Sequence, residues 1–108
     1  MSKLDPKTAY RLVHDGNARL IDIREPQEWH QTGVARGATL LPQTQLDRCL
    51  GELERRPSIL VCRSGNRSEQ VRRELEARGI RVWEVEGGLL AWIEAGLPLS
   101  HPIAAERC

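Results

Sequence analysis

The sequence offers little that would attract a nucleic acid or a membrane. Its formal net charge is only +1, and its Lys and Arg residues are spread along the chain rather than gathered in a basic tail. Such a balance predicts no general attraction to nucleic acid or anionic lipid. No apolar run approaches the ~18 residues of a membrane-spanning helix, and the N-terminal residues lack the apolar segment of a secretory signal. We therefore expect no membrane segment and no nucleic-acid partner.

The sequence also lacks a cysteine framework of any common spacing. Cys49, Cys62 and Cys108 are odd in number, which argues against an even set of disulfides. Neither Cys-x-x-Cys nor His-x-x-x-His occurs, so the spacing of zinc sites is absent. These features predict a reducing, cytoplasmic setting and no bound metal. Cys49 shares a helical face with Leu46 and Leu53 and should pack in the core. Cys108 would either resolve an oxidised or persulfidated Cys62 or be a mobile, idle thiol, and we favour the second.

The sequence does contain a regular alternation of strand-like and helix-like segments. A chain of 108 residues is long enough for one domain with a core. The alternation predicts an α/β fold with about five mostly parallel strands, right-handed crossovers and helices on both faces of the sheet. Strands are expected at 18–23, 38–41, 59–61 and 81–85, helices at 6–16, 26–33, 46–53, 67–78 and 87–96, and a loose tail at 100–108.

The stretch from Ser58 to Glu69 carries the chemistry. Residues 59–61 are a short apolar run, typical of a strand buried on both faces, and a helical segment follows at 67–78. A loop from a strand into a helix N-terminus points several backbone N–H groups at one spot, where the helix dipole adds partial positive charge. Cys62 opens this loop and should form a thiolate more readily than a free cysteine. We predict that Cys62 is a nucleophile; the alternative is a buried structural cysteine at a strand end.

The rest of this loop supplies the candidates for holding an anion. Arg67 is expected either to anchor the loop or to add positive field. Arg63 should face solvent, where it either attracts anionic donors or is simply solvated. Ser68 either caps the following helix, the role we favour, or bonds to the sulfur. The amide N–H groups that can surround a sulfur atom on Cys62 belong to Arg63, Ser64, Gly65, Asn66, Arg67 and Ser68.

Two charged residues stand where another predicted strand ends. Asp22 and Arg24 lie at the carboxyl end of the segment 18–23, and α/β proteins place ligands at the carboxyl ends of parallel strands. We predict that both support the site, and we favour a structural role as anchors over direct contact with a substrate.

Three stretches of the chain match the signatures of a known family. Residues 20–29 are Leu-Ile-Asp-Ile-Arg-Glu-Pro-Gln-Glu-Trp, residues 62–68 are Cys-Arg-Ser-Gly-Asn-Arg-Ser, and residues 86–92 are Glu-Gly-Gly-Leu-Leu-Ala-Trp. In their order and spacing these stretches resemble the single-domain rhodaneses, a family of sulfurtransferase modules. The resemblance covers roughly residues 4–99.

This resemblance implies a fold and an activity. The fold would be a three-layer α/β/α rhodanese domain at 1–99 with a five-stranded parallel sheet, followed by a tail at 100–108. Cys62 would be catalytic: it would take a sulfane sulfur from a donor such as thiosulfate and hold it as a persulfide. A thiophilic acceptor, such as cyanide or a thiol, would then remove the sulfur. This nucleophilic chemistry requires no metal or organic cofactor.

Two other classes of function stay open. A phosphatase or arsenate reductase of the same fold could use a thiolate in an anion cradle, and a non-enzymatic module could dock a partner without chemistry. The loop has six residues from Cys62 to Arg67, one fewer than in the phosphatase relatives of the superfamily. A loop this tight favours enclosure of a single sulfur atom. It also predicts that Arg67 is held by the protein rather than offered to a substrate.

Overall fold

The structure is a computed structural model that describes residues 2–108. Its helices are α1 (Pro6–His14), α2 (Pro26–Thr32), α3 (Leu50–Arg55), α4 (Asn66–Ala77) and α5 (Gly88–Glu94), and a 3₁₀ helix (Gln43–Cys49) precedes α3. Its strands are β1 (Lys3–Leu4), β2 (Arg19–Asp22), β3 (Val34–Ala35), β4 (Ala38–Leu40), β5 (Ser58–Val61), β6 (Trp83–Val85) and β7 (Leu99–Ser100). Between residues 2 and 108, no helix has the length and apolar character needed to cross a membrane.

Five strands form one parallel sheet in the order β1-β6-β5-β2-β4. The central strand β5 places Leu60 opposite Ile21 of β2 and Glu84 of β6. Successive residues of a strand face opposite sides of a sheet. Leu60 accordingly packs among residues of the 3₁₀ helix, α3 and α4, whereas Ile59 and Val61 pack among residues of α1 and α5. Helices therefore cover both faces, which confirms the predicted α/β fold.

The helix ends follow local signals, as predicted. The Asp5 carboxylate accepts a hydrogen bond from the backbone N–H of Thr8 at 2.9 Å, and Pro6 takes the first position of α1. Pro26 begins α2 in the same way, and α2 ends at Gly33, whose φ of 77° favours glycine.

Three short strands were not predicted. β1 pairs with β6 and supplies the fifth strand of the sheet, while β3 and β7 form a separate antiparallel pair. Each has two residues, and two residues show no hydrophobic period. Their partners lie far away along the chain, so only the folded structure reveals them. The segment predicted as one helix at 46–53 is instead a 3₁₀ helix that continues into α3.

The expectation of an idle Cys108 is wrong. Cys108 forms a disulfide with Cys49, which lies 59 residues earlier and is buried in the core, as predicted. The backbone N–H of Glu106 also donates to the carbonyl of Leu40, at 2.6 Å. The last residues are therefore tied to the domain at two points rather than loose. The domain boundary at residue 99 and the cytoplasmic setting stay predictions.

Candidate active site

Cys62 lies at the carboxyl end of the central strand. It directly follows Val61 of β5, and α4 begins four residues later at Asn66, so the connection is very short. Gly65 makes this turn with a φ of 103°, a left-handed conformation that residues with a side chain rarely adopt. The Cys62 residue is only 1% exposed. Within residues 2–108 it is the cysteine that remains a free thiol.

The sulfur of Cys62 is surrounded by hydrogen-bonding groups of its own loop. The backbone N–H of Gly65 donates to Sγ at 3.1 Å, and that of Ser68 donates at 3.4 Å. The Ser68 hydroxyl lies 3.4 Å from Sγ and 3.2 Å from the carbonyl oxygen of Gly65. An anionic sulfur in this position would accept hydrogen bonds from groups already aimed at it.

Ser68 does not cap the helix in the way we favoured. The N-cap of α4 is Gly65, without a side-chain cap. The hydroxyl of Ser68 is fully buried, where it can accept a hydrogen bond from the Cys62 thiol or turn to donate to the sulfur. The second of the two roles considered for Ser68 is therefore the one that the geometry fits.

Arg67 is bound by a carboxylate from the neighbouring helix. Its two terminal nitrogens donate to the two oxygens of Glu28, at 2.8 and 2.7 Å. Glu28 stands in the first turn of α2, and its carboxylate also accepts the backbone N–H of Glu25 at 2.9 Å. Of the two roles predicted for Arg67, anchoring of the loop is the one seen here.

This ion pair shifts the pKa of both of its members. The bond with Arg67 lowers the pKa of Glu28 to about 2, against an ordinary value of 4.5. The same bond raises the pKa of Arg67, and the charges of Cys62 and Asp22 add to the rise. Arg67 is therefore a permanent cation beside the cysteine loop.

The N-terminus of α5 holds the loop from the other side. The backbone N–H of Leu89 donates to the Cys62 carbonyl at 2.8 Å, and that of Leu90 donates to the Arg63 carbonyl at 3.0 Å. Gly88 permits this close approach: a Cβ on Gly88 would lie 2.6 Å from both carbonyl oxygens. The third signature thus supports the first turn of the cysteine loop through the backbone.

Asp22 and Arg24 form a buried anchor next to the loop. Asp22 stands opposite Val61 in the sheet, and its carboxylate accepts three side-chain hydrogen bonds from Arg24 at 2.9–3.1 Å. Arg24 also donates to the hydroxyl of Thr32 and the carbonyl of Gly33. These bonds tie the end of β2 to the end of α2, the helix that presents Glu28. The geometry fits the predicted structural role.

The structure separates the predicted site residues into two groups. In the first group, Gly65 and Ser68 donate to the Cys62 sulfur, and Arg67 binds Glu28. The second group consists of the remaining loop residues, which are exposed: Arg63, Ser64 and Asn66. Sequence reasoning assigned no site role to Glu28 or Gly88. Both lie in the matched signatures, so the signal was present, but their contacts are with residues distant along the chain.

Comparison with known families assigns the chain. The sequence model of the rhodanese-like domain matches residues 5–95. The chain belongs to the rhodanese family. The rhodanese match begins at the N-cap of α1 and ends just after α5, so it includes four of the five strands of the sheet and leaves out the two-residue β1.

Relatives of this rhodanese are found in bacteria and archaea. It is 37% identical over 95 residues to an uncharacterised protein of Synechocystis, covering 86% of this chain but only 52% of that protein. The chain thus spans about half the length of that relative. It is 36% identical over 94 residues to a sulfurtransferase of Allochromatium vinosum, covering 85% of this chain and 87% of the relative. The crystal structure of a rhodanese-related protein from Thermoplasma volcanium superposes with a TM-score of 0.81 at 27% identity, covering 94% of this chain and all of that one.

Proposed function

We propose that this rhodanese is a sulfurtransferase that moves a sulfane sulfur from a donor such as thiosulfate to a thiophilic acceptor through a persulfide on Cys62. The observation that carries the proposal is the Cys62 sulfur at the end of β5, with the N–H groups of Gly65 and Ser68 donating to it. Membership of the rhodanese family and the likeness to a bacterial sulfurtransferase support it.

The first half of the reaction loads the cysteine. The Cys62 thiolate attacks the outer sulfur of thiosulfate, a new S–S bond forms at Sγ, and the S–S bond of thiosulfate breaks. The electron pair of that bond leaves with sulfite. The total charge is −3 on both sides: thiolate plus thiosulfate before the step, and persulfide anion plus sulfite after it. Asn66 and Arg67 lie in the first turn of α4, where N–H groups have no partner within the helix and can face the outer sulfur.

The second half returns the enzyme to its starting state. A nucleophile such as cyanide attacks the outer sulfur, the persulfide S–S bond breaks, and its electron pair returns to Sγ as the thiolate. Thiocyanate is the product with cyanide, and a thiol acceptor would leave as a persulfide. Ser68 can rotate its hydroxyl from the Gly65 carbonyl toward the returning negative charge. The exposed Arg63 stands at the loop surface, where its charge would attract anionic donors.

Intact mass after incubation with thiosulfate tests the proposal. Wild-type protein should gain the mass of one sulfur atom and lose it on treatment with cyanide, while Cys62→Ser gains none. The matched control is the double variant Cys49→Ser/Cys108→Ser, which lacks the disulfide cysteines but keeps Cys62 and should behave as wild type. Thiocyanate formation by Cys62→Ser at the wild-type rate would overturn the site. No sulfur gain by wild type with any sulfane donor would favour a non-catalytic module.

A further inference from the structure

Arg67 has the side chain best suited to bind a tetrahedral oxyanion in this loop, yet it is already occupied. A guanidinium presents parallel N–H donors that match phosphate, arsenate or carboxylate oxygens two at a time. In this structure both terminal nitrogens of Arg67 point at the two oxygens of Glu28. A substrate oxyanion would have to compete with a carboxylate that the protein supplies itself.

We propose that Glu28 is a positioning residue that sets the substrate class of the loop. By holding Arg67 to α2, it reserves the loop for a single sulfur atom and excludes phosphate and arsenate as tight ligands. Thiosulfate needs to offer the loop only its outer sulfur, whereas phosphate and arsenate would have to bring a central atom with its oxygens into it. This inference rests on the proposed sulfurtransferase function and adds the reason for its selectivity.

Glu28 is itself held in place, which makes it an effective anchor. Its carboxylate accepts the backbone N–H of Glu25 at the start of α2, and the backbone N–H of Glu28 donates to the Glu25 carbonyl. Arg24 fastens the other end of that helix to the sheet. These contacts favour the observed position of the Glu28 carboxylate, so that it holds Arg67 away from the loop.

Release of Arg67 would place a cation beside the sulfur. Arg67 directly precedes Ser68, whose N–H donates to Sγ. The Arg67 side chain is 37% exposed and that of Glu28 is 24% exposed, so their separation would not open the hydrophobic core. Replacement of Glu28 by glutamine keeps an oxygen for the helix cap but removes the charge and one of the two acceptors for Arg67.

Protection of Cys62 from alkylation measures oxyanion binding without any sulfur transfer. The probe is neutral iodoacetamide, and its target is Cys62, the free thiol of the oxidised protein. Bound phosphate should slow the alkylation of Cys62. We expect Glu28→Gln to lower the dissociation constant of inorganic phosphate by about tenfold or more, as a gained charge-assisted contact would. Arsenate should show the same change. The double variant Glu28→Gln/Arg67→Met should return to the weak binding of wild type.

Two results would overturn the proposal. One is a folded Glu28→Gln variant that binds phosphate as weakly as wild type. The other is a gain that persists in Glu28→Gln/Arg67→Met, because removal of a negative charge alone would then explain it. If Glu28→Gln does not fold, Glu28→Ala replaces it in the same comparison.

A kinetic measurement gives a second readout. With thiosulfate as donor, added phosphate should raise the KM for thiosulfate in Glu28→Gln and leave kcat unchanged. Failure here leaves the wild-type persulfide test untouched, so the two hypotheses fail separately.

Discussion

The contact between Glu28 and Arg67 determines both the pKa of Glu28 and the orientation of the Arg67 side chain. A glutamate in the first turn of a helix is common, and a capping role accounts for its position on α2. Hydrogen bonding to Arg67 is the largest cause of the lowering of the Glu28 pKa to about 2, and the backbone N–H of Glu25 adds to it. They join α2 to the cysteine loop across 39 residues of sequence, so the same pair links stability to the geometry of the site.

The depressed pKa of Glu28 has a defined consequence for stability. Because the folded-state pKa lies below the ordinary value, the pair contributes fully above about pH 4.5 and its contribution is lost as the pH falls toward about 2. We expect wild type to be more stable than Glu28→Gln by roughly 1–3 kcal/mol near neutral pH. The difference in free energy of unfolding, measured by urea denaturation, should shrink to near zero at the acid end.

A variant on α3 provides the control for this measurement. Glu54 is exposed, and Glu54→Gln should track wild type over the whole range, because the exchange removes a solvated surface charge. A difference between wild type and Glu28→Gln that does not change from neutral pH to the acid end would contradict the role assigned to the ion pair.

At the scale of elements, the cysteine loop depends on two helices besides its own. α2 brings Glu28 to Arg67, and the N-terminus of α5 donates to the carbonyls of Cys62 and Arg63. The parallel sheet makes this possible, because the carboxyl ends of β2, β5 and β6 meet at one edge. Each of the three matched signatures therefore contributes to the same small region of the fold.

Gly88→Ala tests the contribution of α5. The new Cβ would lie 2.6 Å from the carbonyl oxygens of Cys62 and Arg63, and Gly88 has a φ of 62°. We expect an added cost of roughly 1–3 kcal/mol from this overlap, and slower persulfide formation in the folded variant because the loop must shift. Thermal unfolding and the rate of sulfur gain by mass measure the two effects.

Gly96→Ala separates the overlap from backbone strain. Gly96 has a φ of 74°, but a Cβ there would meet no atom within 4 Å. It should therefore cost only the strain of a left-handed conformation, about 1–2 kcal/mol, and leave sulfur transfer unchanged. Equal losses of stability and activity in the two variants would refute a specific role for the α5 contact.

For the whole molecule, the disulfide is the longest-range covalent constraint. It joins Cys49, a buried residue at the end of the 3₁₀ helix, to Cys108 at the end of the tail. Between them the tail reaches β4, the edge strand of the sheet, where Glu106 donates to Leu40. This arrangement covers part of an edge that would otherwise present unpaired backbone groups.

Reduction of the disulfide should lower stability but preserve the site. Closure of a loop of 59 residues corresponds to about 4 kcal/mol at most in the chain-entropy estimate. We expect a dithiol reductant to lower the melting temperature of wild type and to leave that of Cys108→Ser unchanged. Cys108→Ser should still gain one sulfur from thiosulfate on Cys62. An unchanged melting temperature of wild type after reduction, with two further thiols titrated, would show that the bond contributes nothing.

The sequence by itself determined the features that depend on neighbouring residues. The alternation of strands and helices, the cap at Asp5 and the end of α2 at Gly33 were predicted because hydrophobic period and capping act within a few residues. The cysteine loop was recognised for the same reason, since Cys62, Gly65 and Ser68 are nearly contiguous. Local order along the chain already places their groups around one sulfur atom.

Only the tertiary structure decided the contacts between distant segments. β1 became a strand because β6 lies beside it, and Cys49 found Cys108 because the tail crosses β4. The length of the loop predicted that the protein holds Arg67, but only the fold shows that Glu28 on a neighbouring helix is the group that holds it. Pairings of this kind depend on where the sheet brings separate strand ends and helix termini together. No local period or motif encodes that position, because each partner alone is compatible with several surroundings.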